Sequence, residues 1–240
     1  MAKHLIAQLD ISENVSPSLS PGAFMNSLNG FGFVAIWNGI APAYEADFKE
    51  WHEQEHMPER LAIPGFEVGM RWRAELSQSD YFTLYLLESP SVASSAAYVE
   101  RLNAPTSWTR RVTARFTGNA RCVGQIVWSS GEPSSSRIVA VQINNEIVET
   151  GLKEHCERIM AIPGVIGCHY GRSDTVTTAI STVERQGRTV SEPAGMVVIA
   201  LDGDEVSGLD SEHLTAALPS QLAREAVFFH RELVMPRALS

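Results

Sequence analysis

The chain has 240 residues, 44% hydrophobic and 20% charged, an ordinary globular composition that leaves room for one large domain or two of roughly 100 residues. A formal net charge of −9 argues against a nucleic-acid surface, which needs a clustered Lys/Arg face. Cys122, Cys156 and Cys168 form no CxxC pair, and neither the opening MAKHLIAQLD nor any later run is apolar enough for a signal peptide or a membrane span, so a reduced, soluble, cytoplasmic protein is expected, without nucleic-acid or membrane partners.

Residues 1–30 read as an N-terminal extension, because 12–30 are rich in Ser, Pro, Asn and Gly. A first unit, 31–128, opens with the β-rich run GFVAIWN (32–38). Residues 44–61 follow helical spacing, with Tyr44, Phe48, Trp51 and Glu55 along one side, and Pro64-Gly65 stops the helix. The run 66–76 alternates like a strand, 77–80 is a turn, and 81–88 is a second strand of this hairpin. A helix over 91–102 and a strand over 120–128 complete the order β-α-β-β-α-β, the split βαβ pattern of ferredoxin-like folds. Between them, Arg110, Arg111 and Arg115, with Arg121 and Trp108, read as a solvated flank.

Residues 129–136 (SSGEPSSS) read as a linker, and a second unit, 137–234, repeats the order: strand 137–144, helix 147–160, strands 165–172 and 195–203, helix 209–219 and strand 225–233. Its departure is an insertion over 173–194, expected to be an extended hairpin or a flap. EHMPERLAIPGFEVGMRWR (55–73) lies over EHCERIMAIPGVIGCHYGR (154–172) at a constant offset of 99 residues, which signals duplication. The expected architecture is α+β: two tandem ferredoxin-like βαββαβ units whose bare sheet faces pack together and enclose a cavity. Exposed edge strands would invite a homodimer.

The phrase Phe48-x-x-Trp51-x-x-Glu55-His56-x-Pro58-x-Arg60-Leu61-x-x-Pro64-Gly65-Phe66, followed by Arg71, resembles the signature of the dimeric α+β barrel superfamily, and most of all its EthD-like branch. The resemblance implies an intramolecular version of that barrel. It also implies a role for His56 in a pocket between helix and sheet. The superfamily includes cofactor-free monooxygenases, isomerases, dehalogenases and haem-binding members.

His56 is the first catalytic candidate, since an imidazole is the best general acid/base at neutral pH. The competing reading makes it a helix C-terminal cap. Arg71 is the second: with Arg73 it shares one strand face, opposite Trp72, and could steady a carboxylate, phenolate or enolate, or simply be a solvated charge. Trp37, Trp51, His52, Phe66 and Tyr85 are candidate substrate contacts for a flat organic ligand. The string His52-Glu53-Gln54-Glu55-His56 spells H-E-x-x-H, but Pro58 ends the helix too soon, the counterpart of His52 is Gly151, and a third ligand is not evident, so no metal is expected. His230 is a further candidate acid/base or haem ligand, or a buried core histidine. No nucleotide or serine-hydrolase motif occurs. The expected activity is a cofactor-independent acid/base enzyme of monooxygenase, isomerase or lyase type, acting on a small aromatic or polyketide-like molecule. The alternatives are a non-catalytic small-molecule-binding barrel and a haem-binding barrel.

Overall fold

A computed structural model describes residues 27–77, 80–133, 135–143, 151–203, 214–216, 218, 223 and 226–238. Eight strands close into one antiparallel barrel: β1 (Gly32–Ile40), β2 (Phe66–Ala74), β3 (Asp80–Leu87), β4 (Phe116–Gly131), β5 (Arg137–Ile143), β6 (Val165–Ser173), β7 (Gly195–Leu201) and β8 (Val227–Pro236). Around the barrel they run β1-β3-β2-β8-β5-β7-β6-β4. Among the described residues each strand has a neighbour on both sides, so exposed edge strands do not carry the expected homodimer.

The two long strands β4 and β8 stitch the barrel. The first part of β4 pairs with β1, and its end pairs with β6, Gly131 opposite Gly167. In the same way β8 pairs with both β2 and β5. Ser129-Ser130-Gly131, expected to open a linker, are therefore strand residues. The Ser129 hydroxyl accepts from the Leu28 amide at 2.8 Å and donates to His169 Nδ1 at 2.8 Å, and His169 Nε2–H donates to the Glu132 carbonyl.

Alternation along the strands divides the buried residues between two faces. The inward set fills the barrel with Trp37, Trp72, Phe82, Phe229 and smaller apolar side chains. Phe82 lies 4.8 Å from Trp37, 5.7 Å from Trp72 and 5.9 Å from Phe229, ring centre to ring centre. The space between the two sheet faces, where a cavity was expected, thus holds this cluster of buried apolar side chains.

The outer face of β1–β4 is covered by α1 (Glu45–Trp51), a π turn (His52–His56), α2 (Met57–Leu61), α3 (Ala96–Asn103) and α4 (Ser107–Thr113). Phe48 and Trp51 are buried, while Tyr44 is exposed. The helix does not end at Pro58. The Met57 amide bonds the His52 carbonyl, a π-type i→i+5 bond, and the widened turn accommodates a proline that has no N–H and crowds the preceding carbonyls. Sequence reasoning missed α4, a short polar stretch. The second half carries α5 (Leu152–Met160), whereas most of the helix expected over 209–219, like residues 1–26, lies outside the described residues. The 173–194 segment is no hairpin. It holds α6 (Thr175–Thr178) and a 3-10 turn (Val183–Arg185), and its Ser191 bridges to Ala120 of β4. No described helix is long and apolar enough to cross a membrane.

Candidate functional site

His52 and His56, four residues apart, open and close the π turn and share one face, their rings stacked with centres 5.6 Å apart. Trp51 packs on His56 at 4.3 Å. Helix α4 fixes that tryptophan: its indole N–H donates to Thr109 Oγ1 at 3.1 Å, and the Thr106 and Thr109 hydroxyls both donate to Glu55.

His56 and Arg60, one helical turn apart, face a cavity of about 50 Å³ between the helices and the sheet. At ~10–15 Å³ of such volume per water, it holds a handful of waters. Its floor is Ile36 of β1, Tyr85 of β3 and Phe116 and Arg121 of β4. Its far wall is supplied by the segment after β6, through Glu184, Arg185, Arg188 and Val190. A stretch from the second half therefore closes a cavity on the first.

Four arginines and one carboxylate line this space, in a chain that is acidic overall. Arg60, only 3% exposed, pairs with Glu184 through Nη2 at 2.5 Å. Arg188 donates to the Glu184 main-chain oxygen at 2.6 Å, and Arg185 donates to the Thr178 and Ile180 carbonyls and to Glu192. Arg121 reaches the Tyr98 hydroxyl at 3.3 Å. Three buried polar atoms of the lining have no hydrogen-bond partner among the described residues: His56 Nδ1, Arg60 Nη1 and Arg188 Nε. Such an orphan costs about 1–3 kcal/mol, and more when charged.

Burial holds the His56 pKa well below the ordinary 6.5, and the Arg60 charge pushes the same way, with His52, Arg188 and Arg101. The imidazole is therefore neutral at pH 7 and a proton acceptor. Burial opposes the charge on Arg60, but Glu184, Tyr98 and Tyr85 outweigh it. Burial raises the Tyr85 phenol far above its usual range, so it stays protonated.

Of the residues singled out in the sequence, the structure brings His56, Trp51 and Tyr85 together around the cavity. His52 lies beside them, accepting from Arg71 at Nδ1 (3.3 Å) with Nε2 3.5 Å from the Tyr85 hydroxyl. Phe66 supports the floor from behind, its ring 5.7 Å from Tyr85 and 5.2 Å from Tyr98. Trp37 is on the other side of the sheet, in the barrel core. Arg71 is 1% exposed, on the outer face as the alternation requires, but it is roofed by α1 instead of being solvated. Its guanidinium pairs with Glu53 at 2.7 Å and Glu232 at 3.3 Å, in a network with Arg73, Lys49 and Glu45. That network sets it apart from the cavity and already neutralises it.

His230 is half exposed and pairs with Glu75 at 3.3 Å, so it is not a core histidine. Arg111 and Arg115 pair with Asp47, whereas Arg121 of the same expected flank turns into the cavity. No described group of three or more His, Cys, Asp or Glu is placed to hold a metal ion. The space beside His56 is far smaller than a haem macrocycle, and Trp51 covers the ring.

No protein-family model matches the chain, and no curated protein matches it. Among solved structures, an anthrone oxidase-like protein is similar with a TM-score of 0.55 at 8% identity, over 90% of this chain and 95% of that one. A candidate monooxygenase from Fusobacterium nucleatum subsp. nucleatum ATCC 25586 is similar with a TM-score of 0.51 at 8% identity, over 87% of this chain and 95% of that one. At these identities the likeness is one of fold.

Proposed function

We propose that the chain is a cofactor-independent acid/base enzyme acting on a small organic molecule, with His56 as the proton acceptor and Trp51 and Tyr85 flanking the substrate. The observation that carries this reading is His56 Nδ1: buried, without a partner, and on a residue that lines a cavity. A neutral imidazole among arginines suits removal of a proton from an acid whose anion the arginines then hold. Of the monooxygenase, isomerase and lyase types, oxygen chemistry is the one that the names of the two similar structures carry. The aromatic lining suits an aromatic or polyketide-like substrate. Arg71 acts at most through His52, as a positioning residue.

The architecture behind this site is a tandem pair of ferredoxin-like units, 31–128 and 137–234, of the EthD-like kind. Three features support the duplication. The sequence of strand positions β4-β1-β3-β2 recurs as β8-β5-β7-β6. Gly65 and Gly164, 99 residues apart, both have φ of 88°. The register shifts at Phe66/Val68 and Val165/Gly167 carry the same offset.

The test is turnover in a screen of small organic acids and phenols. Replacing His56 with Ala is expected to lower kcat/KM by about 10²–10⁴-fold. Unchanged turnover on an identified substrate would sink the acid/base reading. The small cavity favours one second reading, a non-catalytic binding barrel: binding without turnover across the screen is its signature.

A further inference from the structure

We infer that the His56 cavity is a carboxylate site, in which Arg60 and Arg188 hold the carboxylate of a small organic acid beside Glu184. The inference deepens the reading above, and it rests on the same cavity being open to a ligand.

Three observations converge on it. The partnerless buried atoms of the lining are two cationic donors, Arg60 Nη1 and Arg188 Nε, and one imidazole nitrogen. An anion answers cationic donors of this kind, whereas a neutral amide or alcohol leaves positive charge uncompensated. Four arginines face one carboxylate across the lining, and with Arg185 also paired to Glu192 an excess of positive charge remains that a further anion reduces. Glu184 itself shows what Arg60 accepts: a carboxylate oxygen 2.5 Å from Nη2. The side chain that supplies it stands on a three-residue 3-10 turn, which has little helix to unwind if it withdraws.

The chemistry favours a carboxylate over inorganic phosphate. A planar guanidinium matches a planar carboxylate, and the apolar side chains of Ile36, Trp51 and Phe116 in the lining offer contact to an organic body that phosphate lacks. A two-carbon acid suits the cavity as it stands, and an aromatic acid requires Glu184 and its turn to move aside.

The experiment is calorimetric titration of the full chain at pH 7 in phosphate-free, low-chloride buffer. The probes are acetate and benzoate, their amides acetamide and benzamide, and inorganic phosphate. At least one carboxylate is expected to bind at least tenfold more tightly than its amide and than phosphate. Glu184→Gln removes the internal competitor and is expected to strengthen carboxylate binding several-fold, while Arg60→Gln weakens it at least tenfold. Where Arg60→Gln does not fold, Arg188→Gln, which leaves the Arg60–Glu184 pair in place, is expected to weaken binding several-fold. Equal binding of acid and amide, preference for phosphate, or no carboxylate binding by both the wild type and a folded Glu184→Gln overturns the proposal. His56→Ala separates the two readings. It is expected to keep the carboxylate preference, so loss of turnover there without loss of binding tests proton transfer alone. Turnover of neutral substrates with no preference for carboxylates would sink the anion site and leave the acid/base role standing.

Discussion

On the first helix-covered face, His56 is followed one turn later by Arg60, and both line a cavity. On the second, 99 residues on, His155 is followed by Ile159, which is buried with Cys156, Val165 and Ile199. His155 Nδ1–H turns back to the Gly151 carbonyl of its own helix, while His56 Nδ1 has no partner. The strand below repeats the contrast: Arg71 stands where the second half has Tyr170, and both are buried. One backbone plan thus supports a polar, partly empty face and an apolar face that packs. The difference lies in a few side chains and in the 173–194 segment, which the second half supplies and the first half uses.

The barrel core shows the same division of labour and offers the strongest test. Trp72 of β2 matches Gly171 of β6, where an added Cβ would sit 2.5 Å from the Phe33 ring. One half supplies the bulk and the other makes room for it. Trp72→Ala removes a fully buried ring and its hydrogen bond to the Ser135 carbonyl. The expected cost is about 3–5 kcal/mol, read from denaturant midpoints. A loss under about 1 kcal/mol would mean that the core is not organised around this side chain.

Next in size is the conversion of the first face into the second. Arg60→Ile writes in the residue that the matching position carries, but it strands the Glu184 carboxylate. Breaking a buried pair from one side costs about 3 kcal/mol or more, and here neighbouring Arg185 and Arg188 keep the figure at the low end. The double variant Arg60→Ile/Glu184→Leu is expected to recover most of the loss, because an apolar pair can replace a buried ion pair. Failure of the double variant to recover would show that Arg60 holds the face together by more than its bond to Glu184.

Periodicity made the strands and the first helix legible before any coordinates, and the repeated Ile-Pro-Gly carried the proposal of a duplication. Both glycines take a positive φ, a conformation that side chains oppose, and so the helix stop recurs at the same place. The end of β4 was hidden because Ser-Ser-Gly reads as linker, and only its partner β6 makes a strand of it. Trp51 followed from helix spacing and Tyr85 from its aromatic ring on a strand, while the role of His56 came from the resemblance and from imidazole chemistry. Arg60 was within reach as well, four residues after His56 on one helical face, although arginine is usually a surface residue. Arg185 and Arg188 could not be found in this way. They stand over 120 residues from His56 in the chain, and no local pattern tells where an insertion between two strands will fold back.

The smallest expected effect concerns pH and compares His56 with His169. Burial lowers both pKa values, for His56 together with the Arg60 charge and for His169 against a bond to the Glu132 carbonyl. Burial likewise lowers that of His52. In the unfolded chain a histidine takes up its proton near pH 6.5. Between that pH and the depressed native values the unfolded state binds more protons, so stability rises with pH in this window and is lost as pH falls below about 6.5. Each such histidine contributes a slope of at most ~1.4 kcal/mol per pH unit. His56→Gln removes one of them, and its unfolding free energy is expected to fall less steeply than that of the wild type between about pH 6.5 and 5.5. At His169 both ring nitrogens are bonded, so His169→Gln flattens the same window but also lowers stability at pH 8, where His56→Gln does not. Parallel profiles for wild type and His56→Gln would mean that His56 meets solvent in the native state, and the contrast between an unpartnered imidazole on one face and a fully bonded one in the other half would fail with it.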